Sequence, residues 1–185
     1  DWKTGLLGNI AHSVREDDRG ARFVDFTPLP ELAELQRAVY LGEGKKFLSE
    51  DYLKALTPLA LAIWYMDDGS FTVRSKGLQQ RTQGGSGRIE ICVEAMSEGS
   101  RERLSGYLRD THGLDVRLRS AGTAGKSVLV FSTAATAKFQ ELVAPYMAPS
   151  MEYKLLPRFR GRSIVIPQFA EPAQRLVPAR VLDVH

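Results

Sequence analysis

Apolar and polar positions follow two different rhythms along the chain. Trp2, Leu6, Leu7 and Ile10 recur at helical spacing and predict a helix over 2–13. "ARFVDF" (21–26) alternates and predicts a strand, and "LPELAELQRAVY" (29–40) predicts an amphipathic helix with Leu32, Leu35 and Val39 on one face. "GEGKKFLSEDY" (42–52) reads as a loop. A helix start follows, with Thr57 as N-cap and Pro58 at the first helical position. After Gly69 the period drops to two. "SFTVRSK" (70–76) and "GRIEICVEA" (87–95) predict strands, with Ile89, Ile91 and Val93 on one face and Glu90, Cys92 and Glu94 on the other. The Gly- and Arg-rich "GLQQRTQGGSGR" lies between them. Ser97 opens a helix to about His112. "LDVRLRS" and "KSVLVFS" predict two more strands, and Phe139, Leu142, Val143 and Tyr146 a last helix over 134–147. Beyond Lys154, "PRFRGR" and further prolines predict a peripheral tail.

The helix over "LTPLALAIWYMDDGS" (56–70) ends in two adjacent carboxylates, Asp67 and Asp68. A negative charge at the C-terminal end of a helix is unfavourable by about 0.3–1 kcal/mol unless a cation or donor compensates it. The ordinary reading is a C-cap: Gly69 in the left-handed conformation, beside a solvated Asp-Gly turn. A chemical reading places a divalent cation there, because Mg²⁺ takes oxygen ligands and commonly uses one or two carboxylates together with phosphate oxygens.

Composition narrows the classes. With 185 residues, 43% of them hydrophobic, the chain can bury a real core. The net charge of +3 permits nucleic-acid binding without requiring it. Arginine outnumbers lysine seventeen to eight, and the guanidinium suits bidentate phosphate contacts. Cys92 is alone, which removes any intrachain disulfide or cysteine-based zinc site and points to a reducing compartment, cytoplasmic (or organellar or nucleoid-associated) rather than secreted. No apolar run approaches the ~20 residues of a membrane span, and no signal peptide opens the chain. His12, His112 and His185 are scattered and form no metal or nuclease pattern.

Leu61-Ala62-Ile63-Trp64-Tyr65-Met66-Asp67-Asp68-Gly69 resembles the signature helix of the LAGLIDADG (dodecapeptide) homing endonucleases, with Leu61, Ala62, Asp68 and Gly69 matching outright. "PYMAPSMEYKLLP" (145–157) resembles the closing segment of one of its subgroups. The resemblance implies an α+β fold: an αββαββα repeat whose curved antiparallel sheet binds DNA. Elements over 2–46 recur in order over 97–154. The chain then divides into 1–55, the back part of a first half-domain; 56–160, a complete second one; and 161–185, a tail that resembles the return into an intein's splicing domain.

The resemblance further implies hydrolysis of double-stranded DNA with Mg²⁺. Asp68 binds the metal, with Asp67 ranked second, and Lys154 and its first-repeat counterpart Lys46 assist catalysis. Arg74, Lys76, Gln79, Gln80, Arg81, Arg88, Arg117 and Arg119 are the candidate DNA contacts. A second signature helix, with its own aspartate, comes from a missing N-terminal segment or a dimer partner, and Ala60 and Ala62 are small enough to admit it closely. Two other readings use the same scaffold: a nucleic-acid binder without catalysis, such as an RNA maturase or a DNA-binding regulator, and a decayed, inactive remnant.

Overall fold

The computed structural model of the chain describes residues 10, 12–26, 29–40, 44–74, 86–121 and 126–164. Lys76, Gln79, Gln80, Arg81, His185 and most of the helix expected over 2–13 lie outside the described residues, as does the tail from 165. The backbone divides into two compact units, one of residues 1–38 with 165–185 and one of residues 39–164.

In the first unit, β1 (His12–Glu16) and β2 (Arg22–Phe26) pair antiparallel, from His12 opposite Phe26 to Glu16 opposite Arg22. The Asp17 carboxylate closes the turn, accepting from the amides of Arg19 at 3.0 Å and Ala21 at 2.8 Å. Gly20 sits there at a φ of 76°, a conformation that a side chain disfavours. His12 and Ser13 are thus strand rather than the end of a helix, because their backbone is drawn into the ladder opposite Phe26 and Asp25. Helix α1 (Pro30–Val39) falls where its periodicity predicts.

The second unit contains α2 (Glu50–Lys54), α3 (Pro58–Asp68), β3 (Gly69–Arg74), β4 (Ser86–Cys92), α4 (Glu98–His112), β5 (Val116–Ala121), β6 (Lys126–Phe131) and α5 (Thr133–Val143). From α3 to α5 this is the expected αββαββα order, and its four strands form an antiparallel sheet in the order β3-β4-β6-β5. Helix α2 departs from the loop expected over 42–52. Ser49 caps it, accepting from Tyr52 N, and Leu53 anchors it in the core at 2% exposure.

One face of the sheet carries the core. Ile89, Ile91 and Val93 are buried on it, as the alternation predicts, together with Leu129, Phe131 and Val116. Helix α5 lays Ala135, Phe139 and Val143 against them, with Phe131 and Phe139 ring centroids 5.0 Å apart. Cross-strand pairing of β4 with β6 starts only at Glu90, so the Ile89 amide needs another partner and finds Thr136 Oγ1 at 3.2 Å. Helix α5 stops at Val143 rather than 147, and a 3-10 turn over Ala144–Tyr146 follows, since Pro145 has no amide to continue the α-helical ladder. The chain beyond Lys154 is no peripheral tail at first: Leu155, Leu156 and Phe159 are buried, and their apolar side chains keep the segment on the core.

Candidate active site

Helix α3 carries the paired carboxylates. Thr57 caps its start, accepting from Ala60 N at 3.2 Å, and Pro58 occupies the first turn, where no amide is needed. Leu61, Ala62, Tyr65 and Met66 are buried, whereas Leu59, Ala60, Ile63 and Trp64 are half-buried. Ala62 therefore belongs to the core of its own unit, and of the two small residues only Ala60 is on the less covered side. Trp64 Nε1 is buried without a hydrogen-bond partner among the described residues. Asp67 and Asp68 are exposed at the helix end.

The end itself is not the left-handed glycine cap expected. Gly69 is extended, at φ −90° and ψ 147°, and passes directly into β3 opposite Ile91. Glycine is needed here for space rather than conformation. A Cβ would overlap the Tyr65 ring and crowd the Tyr65 carbonyl oxygen.

Lys154 provides the compensating cation. Its Nζ donates to the carbonyls of Met66 at 2.6 Å and Gly69 at 2.8 Å, with Tyr65 O at 3.5 Å. Met66 O is one of the acceptors that a helix C-terminus leaves unpaired, whereas Tyr65 O already accepts from Gly69 N and Gly69 O opens β3. The residue is 9% exposed. Burial pulls its ammonium below the ordinary lysine value, while the negative charges of Asp67 and then Asp68 pull it partway back.

A buried polar cluster holds Lys154 in place. Tyr65 Oη donates to the Lys154 carbonyl at 2.5 Å, and Gln140 Nε2 donates to the same oxygen at 2.9 Å. Gln140 Oε1 accepts from Leu156 N at 2.8 Å. Burial raises the Tyr65 hydroxyl far above the usual tyrosine range. Sequence reasoning missed Gln140, and one signal was available: a polar residue inside the apolar stripe Phe139, Leu142, Val143.

The lysine doublet is fixed by its backbone. Lys46 N donates to Ala95 O at 2.7 Å and Ser97 N to Lys46 O at 2.9 Å, just past the end of β4. Arg103 Nε donates to Leu48 O at 2.8 Å, and Ser100 Oγ accepts from Leu48 N at 2.9 Å. The Lys45 ammonium is taken up by Glu94 O at 2.8 Å, so within the doublet Lys46 is the better placed to act elsewhere.

Strand register settles which candidate DNA residues share a face. Thr72 lies opposite Arg88, Glu90 opposite both Ser70 and Val130, Arg117 opposite Val130, and Arg119 opposite Val128. Directly paired residues point to the same side. Arg88, Arg117 and Arg119 therefore all sit on the face away from the core, together with Glu90; the Arg74 side chain lies outside the described residues. Glu90 is ion-paired with Arg88 Nη2 at 2.8 Å and accepts hydrogen bonds from Arg119 Nη2 at 3.0 Å to each carboxylate oxygen.

An acidic helix end beside an antiparallel sheet with one apolar and one arginine-bearing face defines a recognisable class. The chain belongs to the LAGLIDADG DNA endonuclease family, whose model matches residues 1–139. Among curated proteins it is 84% identical over 184 residues to Protein RecA of Mycobacterium shimoidei, covering all of this chain and 44% of that protein. It is 78% identical over 184 residues to Protein RecA of Mycobacterium leprae (strain TN), there covering 26% of that protein. The chain thus spans less than half the length of these curated relatives. DNA endonuclease I-ChuI of Chlamydomonas applanata is 29% identical over 104 residues, 54% of this chain and 43% of that protein. Among solved structures, the homing endonuclease I-WcaI bound to its DNA recognition sequence superposes with a TM-score of 0.57 at 19% identity, over 84% of this chain and 67% of that one. That likeness concerns the fold. No helix of the described residues is long and apolar enough to cross a membrane.

Proposed function

We propose that the chain is the endonuclease segment of an intein carried in a RecA protein, and that it takes part in site-specific hydrolysis of double-stranded DNA. The observation that carries this reading is the exposed Asp67–Asp68 pair, at a helix end that Lys154 secures from within. Its RecA-named relatives contain the whole sequence within a much longer chain, while the same residues match an endonuclease family. An insertion accounts for both.

The donor set fits Mg²⁺. Adjacent exposed carboxylates supply hard oxygen ligands, and among the described residues no group of three or more His, Cys, Asp and Glu forms an all-protein cage. Asp68 would be the principal ligand and Asp67 the second. When bound, the ion supplies a water of lowered pKa and charge stabilisation at the phosphate. In this reading Lys154 contributes through the helix end it holds, rather than by touching substrate. Of the two lysines expected to assist catalysis, Lys46 is the one left to approach a phosphate. A second signature helix, from elsewhere in the whole protein or from a second copy, would supply the other aspartate for two-strand cleavage.

The test incubates the natural full-length protein and Mg²⁺ with a plasmid library carrying randomised inserts. Cleavage at a restricted set of sequences, lost in Asp68→Asn while duplex binding persists, is the expected result. No cleavage of any sequence would defeat the proposal. Binding without catalysis is the second reading, favoured by the single Asp-Asp-Gly helix end among the described residues, where two-strand cleavage needs two such centres. It requires Asp68→Asn to leave every measurable activity intact.

A further inference from the structure

Glu90 stands out on the arginine-bearing face of the sheet. Its carboxylate joins two guanidiniums that come from different strands, Arg88 two residues away on β4 and Arg119 across β6 on β5. The Glu90 side chain is 23% exposed, and those of Arg88 and Arg119 are 34% and 50% exposed. The cluster is therefore accessible from the open side. Arg88 Nε is buried with no hydrogen-bond partner among the described residues. Its guanidinium is thus posed by Glu90, and not by the best use of its own donors.

We propose that Glu90 is a specificity-determining residue that restrains Arg88 and Arg119 against sequence-independent phosphate contact. This rests on reading the sheet as a DNA surface. Two free arginines present a charge of +2, and any phosphate satisfies them. Paired with one carboxylate they present +1 and a fixed orientation. A duplex then gains their contacts only where groove geometry brings acceptors to the guanidinium edges that Glu90 leaves open. Contacts of that kind discriminate sequence, whereas backbone phosphate contacts do not. The carboxylate itself stays available to a cytosine amino group, a donor it can accept from in the major groove.

The experiment measures binding of the natural full-length protein and its E90Q, R88Q/R119Q and E90Q/R88Q/R119Q variants to a random-sequence duplex across a salt series. Glutamine keeps the shape of Glu90 and removes its charge. Each guanidinium released to a phosphate steepens the slope of log affinity against log salt by about 0.9. E90Q is therefore expected to steepen it by about 1 to 2. Its non-specific affinity at low salt rises several-fold, and its enrichment for particular sequences from a randomised library falls. In the R88Q/R119Q background the glutamine should leave the salt slope unchanged, since no guanidinium remains to be released. A packing role for Glu90 would move thermal stability and leave the slope alone. If R88Q/R119Q weakens binding but E90Q leaves slope and affinity unchanged, the Glu90 proposal fails by itself. If binding is indifferent to R88Q/R119Q as well, the sheet is not the DNA surface, and both readings fall.

Discussion

Replacing Lys154 with methionine keeps most of the aliphatic stem and removes the ammonium. Two short contacts disappear, to Met66 O at 2.6 Å and Gly69 O at 2.8 Å; the one to Tyr65 O at 3.5 Å is long enough to count for little. Hydrogen bonds from a charged donor are each worth about 1.5–3 kcal/mol, which gives about 3–6 kcal/mol gross. Methionine has no ammonium to desolvate, and that recovers part of the loss. The recovery is real, because burial already holds the Lys154 pKa below its ordinary value despite Asp67 and Asp68 nearby. A net destabilisation of about 2–3 kcal/mol is expected. In a chain of this size that corresponds to a fall of about 4–12 °C in melting temperature. The pH dependence has a definite sign. Between the folded pKa and the ordinary 10.5, the unfolded chain holds the proton and the folded one does not, so stability rises with pH there. The rise is complete above 10.5 and is lost as pH falls through the folded value; Lys154→Met should abolish it. Thermal melts of both proteins from neutral to alkaline pH measure each effect. A methionine variant with unchanged stability and no cleavage would refute the capping role and return Lys154 to the chemistry.

Other substitutions probe the surroundings of that lysine. Tyr65→Phe removes the donor to the Lys154 carbonyl and should cost about 1–2 kcal/mol by denaturant titration. Because the Tyr65 pKa is raised, the unfolded chain releases its proton first as pH passes 10, so this group makes stability fall with pH; Tyr65→Phe should flatten that fall. Gln140→Leu strands the buried Leu156 amide and should cost about 1–3 kcal/mol, read as a lower urea midpoint. Gly69→Ala forces the Tyr65 ring to shift and should destabilise by about 1–3 kcal/mol, with cleavage falling alongside if the helix end moves.

Local periodicity carried most of the fold of residues 56–164, for a physical reason. Ile89 and Ile91 alternate because one face of β4 is buried, and Thr57-Pro58 opens a helix through a local side-chain cap and a proline in the first turn. Elements that owe their form to a distant partner were harder to read. His12 and Ser13 are strand only because Phe26 and Asp25 lie opposite, and helical spacing in Trp2–Ile10 cannot report that. Gly69 is glycine because of a ring four residues back, a steric fact that imitates the familiar cap signal.

The site divides along the same line. Asp67 and Asp68 were conspicuous because they defy the helix dipole locally, whereas the cation that answers them is Lys154, whose ammonium reaches carbonyls 85 to 89 residues away in sequence. Nothing in "SMEYKLL" distinguishes a lysine aimed at solvent from one whose protons are spent on carbonyls. That difference is made by Tyr65 and Gln140, which fix the Lys154 backbone and leave its ammonium one place to go. Arg88 and Arg119 pose the same problem in reverse. Their residue type suggested phosphate, but Glu90 reached both once register put the three on one face. A charged side chain in a sequence thus states what it can bind, and its neighbours in space decide how much of that capacity is left for a ligand.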